Sequence, residues 1–255
     1  MISDLYIRGV RLEKDIPDES YLCELPMVIN LRKMEELKLH SKVTFLVGEN
    51  GVGKSTLVEA IAVAVGFNPE GGSKNFSFST EDSHSELFHY LTISKGIKKA
   101  RDGFFLRAES FYNVASNIDA MDRDPENMGP PIIAKYGGVS LHKQSHGESF
   151  LSLVENRFGG NGLYILDEPE AALSPARLLR LMCNINELVK AGSQFIIATH
   201  SPILMAYPGA DVLLLSENGI ESVDYQETEH YIISKRFLGA PEKMCQELFG
   251  EITRE

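Results

Sequence analysis

Val43-Thr44-Phe45-Leu46-Val47-Gly48-Glu49-Asn50-Gly51-Val52-Gly53-Lys54-Ser55-Thr56 is the stretch that decides the fold. Its first five residues are apolar and β-branched, the composition of a strand buried in a sheet. From Ser55 onward the apolar positions Leu57, Val58, Ile61, Ala62 and Val65 recur at helical spacing, and Gly66 closes the run. Between strand and helix stands G-x-x-x-x-G-K-[ST]. Backbone N–H groups of such a loop can wrap a phosphate chain, and the positive end of the following helix points at it. Glu49, Asn50, Gly51, Val52 and Gly53 supply that backbone. Lys54 is placed to reach the β- and γ-phosphates, Ser55 to ligate Mg²⁺ and Thr56 to touch the α-phosphate. A glycine-rich turn before a helix is the bland alternative, and the strand and helix on either side argue against it.

A second run points to the same place. Leu163-Tyr164-Ile165-Leu166 is apolar at every position, as a strand covered on both faces requires, and it ends in Asp167-Glu168-Pro169. Ligands of parallel sheets sit at the carboxyl ends of the strands. Asp167 therefore suits a role beside Mg²⁺, and Glu168 that of a general base polarising the attacking water. Alone, two strand-end acids read more often as a helix cap or a surface turn; paired with the phosphate loop, the preference reverses.

Together these segments resemble the ATP-binding-cassette (ABC) class of P-loop ATPases. Gln144-Ser145-His146-Gly147-Glu148, with Ser145 22 positions before Asp167, is similar to the signature loop of that class. The resemblance implies that Ser145, Gly147 and Glu148 close over the γ-phosphate of a nucleotide held by a second subunit. His146 stands where glycine is usual, and Glu148 where glutamine is common. The same residues also read as a capping box, Ser145 as N-cap and Glu148 three positions on. Ala171-Ala172-Leu173-Ser174 takes the place of the interface loop of the class, with Ser174 where aspartate is usual. Ser174-Pro175 also reads as the start of a helix over Ala176 to Ala191. Gln194 to Thr199 reads as another buried strand, and His200 after it resembles the switch histidine that contacts the γ-phosphate.

One expected part is absent. No glutamine lies between residues 57 and 143, where the class places a ligand for Mg²⁺ and water. Gly103 to Ser110 is the candidate stretch, with Glu109 filling the vacant role; Arg107 as the functional residue, or plain core, are the alternatives. The resemblance implies an α/β fold: a P-loop NTPase core of ABC type with a mostly parallel sheet, an N-terminal antiparallel β subdomain and a small helical lobe. It would be one ATPase domain over residues 1–255, with an insertion at about 67–150 carrying the signature loop at its end. Leu5 to Leu12 and Tyr21 to Leu31 are expected as paired N-terminal strands. Pro69 to Ser85 is expected as a long loop, and Asp119 to Gly138 as an irregular connection.

Composition narrows the use of this engine. The formal net charge is −11, which disfavours a general nucleic-acid surface. Lys95, Lys98, Lys99 and Arg101 form a local basic run, read as a solvated hairpin turn in preference to a phosphate-binding tip. Cys23, Cys183 and Cys245 are few and lack metal-ligand spacing, as in a reduced compartment. There is no apolar run of membrane-spanning length, and Asp4 and Arg8 interrupt the first ten residues, so no signal peptide, no membrane insertion and a cytoplasmic location are expected. Val212 to Leu215 and Ile220 to Val223 flank Asn218-Gly219 as a hairpin. Two helices broken at Gly239-Ala240-Pro241 follow.

Only 88 residues separate Thr56 from Ser145, without sustained heptads, so no long coiled-coil arm fits between them. Asn50-Gly51-Val52-Gly53, the Leu-Asp-Glu-Pro-Glu run and Thr-His-Ser-Pro resemble the soluble branch that includes chromosome-maintenance and repair ATPases. The expectation is an ATP- and Mg²⁺-dependent ATPase that pairs head-to-tail with its own copy and acts on an unidentified protein partner. The nucleotide-binding subunit of a membrane transporter and a DNA-processing ATPase are the alternatives. No Asn-Lys-x-Asp guanine-reading motif occurs.

Overall fold

The computed structural model describes residues 4–74, 85–108, 111–123 and 131–250. The antiparallel sheet is small. In it β1 (Ile7–Leu12) pairs with β2 (Leu37–Lys38) in the register Gly9↔Lys38, and with β4 (Leu91–Lys95) in the register Val10↔Ile93. The stretch Tyr21 to Leu31 is not the expected strand. A short 3₁₀ turn at Tyr21–Glu24, capped by the Ser20 hydroxyl, leads into α1 (Pro26–Arg32). Pro26 takes the first helical position, where its missing N–H is no loss, and Met27, Val28 and Leu31 bury one helical face.

Among the described residues the larger sheet has six strands, β3 (Val43–Val47), β5 (Asp102–Arg107), β6 (Gly162–Asp167), β7 (Gln194–Ala198), β8 (Asp211–Leu215) and β9 (Ile220–Ser222). Their order is β5-β6-β7-β3-β8-β9. All neighbours are parallel except β8 and β9, which form the expected hairpin. β3, β6 and β7 are buried at every position. Their side chains still alternate between two apolar layers. Val43, Phe45, Val47, Tyr164, Leu166, Phe195 and Ile197 face α3 (Phe111–Arg123), α4 (His146–Arg157) and α5 (Pro175–Lys190). Leu46, Leu163, Ile165, Ile196 and Ala198 face α2 (Lys54–Ala64), α1 and β1. Phe45, Phe104, Phe105, Phe150 and Phe195 have no exposed surface, and each such ring contributes about 2 kcal/mol.

Gln194 ties the two sheets together at the start of β7. Its amide accepts from the N–H of Tyr6 and Ile7 at 2.7 and 3.0 Å and donates to the Ile7 carbonyl at 2.8 Å. Lys95 to Gly103 is accordingly a crossover between sheets and not a hairpin, since β4 and β5 belong to different sheets. Of the Asp119 to Gly138 segment, expected as irregular, α3 runs on to Arg123 and a 3₁₀ turn occupies Ile132–Tyr136, while residues 124–130 lie outside the described residues. Of the stretch Pro69 to Ser85, residues 75–84 lie outside the described residues. After β7 come a single turn, α6 (Pro202–Met205), and, past the hairpin, α7 (Glu229–Gly239) and α8 (Pro241–Phe249). Among the described residues no helix is long and apolar enough to cross a membrane.

Candidate functional site

The loop after β3 folds as its glycines require. Gly48 has φ +145°, and a Cβ there would lie 2.2 Å from the Leu215 carbonyl oxygen, so only glycine lets the loop approach the end of β8. Gly53 caps α2 in a left-handed conformation, φ +100°. Lys54, buried at the first helical position, donates to the carbonyls of Gly48 at 2.9 Å and Glu49 at 2.7 Å. Burial pushes its pKa down, while Glu168, Asp167 and Glu170 act in the opposite direction. A cavity of about 200 Å³ opens over it, lined by Leu25, Asn50, Gly51, Gly53, Lys54, Ser55, Thr56 and Glu168.

Sheet order assembles the rest. With β7 beside β3 and β6 beside β7, the carboxyl ends of β6 and β7 bring Asp167, Glu168 and His200 to the side of the sheet where Lys54 follows β3. Asp167 is buried, with the Arg107 Nε 3.6 Å from its Oδ2; Arg107, at the end of β5, also donates to Glu59 Oε2 at 2.5 Å. Glu168 has φ +48° and ψ +53°. A left-handed backbone at a residue with a Cβ stores strain of about 1 to 3 kcal/mol, and it turns this carboxylate into the cavity.

His200 is held on three sides. Its backbone N–H donates to a Glu170 carboxylate oxygen. Its Nδ1 lies 2.8 Å from His230 Nε2, and its Nε2 lies 3.6 Å from Glu168 Oε1. Burial first, then Lys54 and His230, pushes its pKa down to about 4, so the ring is neutral at pH 7. His230 is lowered as well, by burial and then Lys54. The same face opens into a cavity of about 280 Å³ lined by Glu49, His200, Glu229, His230, Ile233 and Ser234.

The Ser145 loop stands apart. Neither Ser145, Gly147 nor Glu148 lines the cavity over Lys54. The capping box forms: Glu148 Oε2 accepts from the Ser145 hydroxyl at 2.6 Å and from its N–H at 3.0 Å. Those bonds hold the exposed Glu148 carboxyl below its ordinary pKa. Arg177, on α5, lies 3.2 Å from Glu148 Oε1. A Cβ on Gly147 would lie 2.5 Å from Arg177 Nη1 and 2.8 Å from the Ala172 carbonyl oxygen, which ties the loop to the turn after Pro169. Ser174 occupies the N-cap position of α5, but its hydroxyl makes no cap bond.

Thus the fold gathers Lys54, Ser55, Thr56, Asp167, Glu168 and His200 at one rim and leaves Ser145, Gly147 and Glu148 on another surface. Glu109 lies outside the described residues. Sequence reasoning passed over Glu170 and His230. The repeated acid in Asp167-Glu168-Pro169-Glu170 was a visible signal for the first; a lone histidine in a helix gave none for the second.

The donor set fits a triphosphate with a hard divalent cation. Among the described residues, the buried Lys54 ammonium donates to two loop carbonyls, and nothing lies within 4 Å of where a Gly51 Cβ would point, so the loop surface is open there. Ser55 and Asp167 offer oxygens. Among the described residues no group of three or more His, Cys, Asp or Glu could hold a metal by itself. Mg²⁺ needs none, since it binds through one or two protein oxygens, water and substrate phosphates.

Two family models match the chain. One described as "AAA domain" covers residues 28–111, and one described as "AAA domain, putative AbiEii toxin, Type IV TA system" covers residues 145–206. The chain is 25% identical over 237 residues to an uncharacterized ABC transporter ATP-binding protein of Haemophilus influenzae, covering 84% of this chain and 86% of that protein. It is 25% identical over 194 residues to the nucleoside import ATP-binding protein NupA of Lactococcus lactis, covering 65% of this chain but only 34% of NupA. Among solved structures, cbiO1 from Clostridium perfringens, part of the ABC transporter complex cbiONQ, superposes with TM-score 0.45 at 18% identity over 94% of this chain and 97% of that one.

Proposed function

We propose that this chain, an ABC-class P-loop ATPase, hydrolyses ATP with Mg²⁺ in a head-to-tail pair of its own copies. The observation that carries this reading is the divided site. The Lys54 cavity is lined by its loop and Glu168, with Asp167 before Glu168 at the end of β6 and His200 lining the neighbouring cavity, while the exposed Ser145 does not line it. A second copy turned by a two-fold axis would bring its Ser145 loop over the cavity.

Each residue has a role there. Lys54, together with the N–H groups of Glu49 to Thr56, holds the phosphate chain. Ser55 and Asp167 hold Mg²⁺, which when bound neutralises charge building on the phosphate oxygens. Arg107 fixes the Asp167 carboxylate, and Glu109 takes the place of the glutamine of the class. Glu168 accepts a proton from the attacking water, its backbone twist aiming the carboxylate into the cavity. His200 donates a hydrogen bond from Nε2 toward the γ-phosphate. Ser145, Gly147 and Glu148 of the second copy complete the enclosure. Residues 1–255 act as one ATPase unit whose 67–150 insertion carries the Ser145 loop. The pair serves as a cytoplasmic switch on a protein partner in genome maintenance or phage defence.

Glu168→Gln tests the pairing. It removes the base and leaves the phosphate contacts, so the pair should accumulate with Mg²⁺ and ATP. Light scattering that still finds a monomer at micromolar protein overturns the divided site. Mixing Lys54→Ala with Ser145→Arg should restore one intact site per mixed pair; no recovered activity would overturn sharing. Glu109→Ala should raise the Mg²⁺ needed for half-maximal hydrolysis, while Glu109→Gln keeps it.

A second reading has support in the relatives named as ABC transporter ATP-binding proteins. In it the chain drives a membrane-embedded subunit, and a copurifying multi-span protein would favour it. Nucleic-acid processing would require salt-sensitive DNA binding despite the acidic surface.

A further inference from the structure

His200 presents two faces with opposite situations. Nδ1 meets His230 Nε2 at 2.8 Å, a hydrogen bond between two imidazoles. Nε2 is buried, has no hydrogen-bond partner among the described residues, and lies 3.6 Å from the Glu168 carboxylate. The two rings are 4.9 Å apart at their centroids and tilted by 56°, so they meet through their nitrogens and not face to face.

A single proton lies on the line between Nδ1 and Nε2, because a neutral imidazole has one donor and one acceptor. Suppose His200 Nδ1 carried it. The buried Nε2 would then be a bare lone pair facing a carboxylate oxygen, acceptor against acceptor, and would repel phosphate oxygens too. With the proton on His230 Nε2, His200 Nδ1 accepts and Nε2–H faces the carboxylate of Glu168, which lines the cavity over Lys54. Only this second arrangement leaves each facing pair matched. It also leaves His200 with one donor, aimed where an anionic oxygen would sit.

We propose that His230 is a positioning residue: its Nε2–H holds His200 in one ring orientation, with the proton on Nε2 directed at the nucleotide site. The proposal rests on the reading of His200 as a donor to the γ-phosphate and adds the group that makes it one. His230 lies in the first turn of α7 and 30 positions beyond His200. β7, which ends two residues before His200, cannot orient the ring by itself, since its backbone bonds fix only the main chain.

The experiment has two parts. In the unaltered protein, ¹⁵N spectra of the histidine side chains should show His200 protonated on Nε2 and bare on Nδ1, with His230 protonated on Nε2. A proton on His200 Nδ1 overturns the proposal without any variant having to fold. The second part is a double-mutant cycle in ATP hydrolysis. His230→Leu should lower kcat about tenfold, the worth of one oriented hydrogen bond, with KM changed less than kcat. His230→Gln, whose amide can donate to Nδ1, should recover most of that loss. On a His200→Ala background His230→Leu should have no further effect. Equal losses from His230→Leu with and without His200 mean a structural role and overturn the proposal. Full activity in His200→Ala overturns the His200 role itself and the proposal with it, so the two failures are told apart.

Discussion

Glu168 is held with φ +48°, and two variants separate its chemistry from the strain it carries. Glu168→Gln and Glu168→Gly both remove the carboxylate, so the loss of its attraction to Lys54 and its repulsion with Glu170 is common to them. They differ in backbone freedom. A glutamine keeps a Cβ in the left-handed region, at a cost of about 1 to 2 kcal/mol that glycine escapes. Glycine in turn makes the unfolded chain more flexible, which takes back about 0.4 to 1 kcal/mol. The glycine variant should therefore be the more stable of the two by about 0.5 to 1 kcal/mol, a rise of about 1 to 3 °C in Tm for a chain of this size. Both should hydrolyse ATP about 10² to 10⁴ times more slowly than the unaltered protein, since both lack the base. Thermal unfolding without nucleotide measures the first difference and steady-state hydrolysis the second. A glycine variant less stable than the glutamine variant would show that the twist at Glu168 is relaxed, and would refute strain held in place for function.

Three further outcomes follow from the geometry. Gly147→Ala would put a methyl 2.8 Å from the Ala172 carbonyl oxygen; it should cost about 1 to 3 kcal/mol in urea unfolding and weaken nucleotide-driven pairing. His200, with its pKa at about 4 against 6.5 in the unfolded chain, gives stability that is complete above pH 6.5 and lost as pH falls to 4, because the unfolded chain takes up the proton first. The advantage of the unaltered protein over His200→Gln should thus shrink by about 2 kcal/mol between pH 7 and pH 4, after solvent screening, and a pH-independent difference would refute it. Ending the chain at Thr228 removes α7 and α8, which bury none of their residues; Tm should move by only a few degrees while hydrolysis falls about as far as in His230→Leu.

What could be read from the sequence was what a single local pattern decides. β3, β6 and β7 are covered on both faces, so apolar residues at every position mark them. The glycines before Lys54 mark the loop because no other residue fits the backbone there. The apolar residues of Tyr21 to Leu31 suit both a strand and the buried face of α1, and Pro26 at the first helical position is the sign that decides for the helix. The basic run after β4 looked like a hairpin because nothing local tells which of two sheets the next strand joins.

The parts of the site that escaped, and Arg107, which stood only as an alternative, share one property: each acts through a residue distant in the chain. Arg107 matters through Asp167 and Glu59, and Glu170 and His230 through His200. None of these partners can be inferred from spacing, since strand order and not sequence order makes them neighbours. The four short segments around Lys54, Ser145, Asp167 and His200 specify which reaction the chain can attempt. How well the reaction runs depends on long-range contacts such as that between His230 and His200. In this chain that contact links the cavity to α7, whose Ile232, Ile233, Phe237 and Leu238 stand exposed. Whatever displaces α7 displaces the His230 Nε2–H as well. A change of nucleotide at His200 and a change of contact on α7 would then be two ends of one linkage, each altering the other by the same free energy.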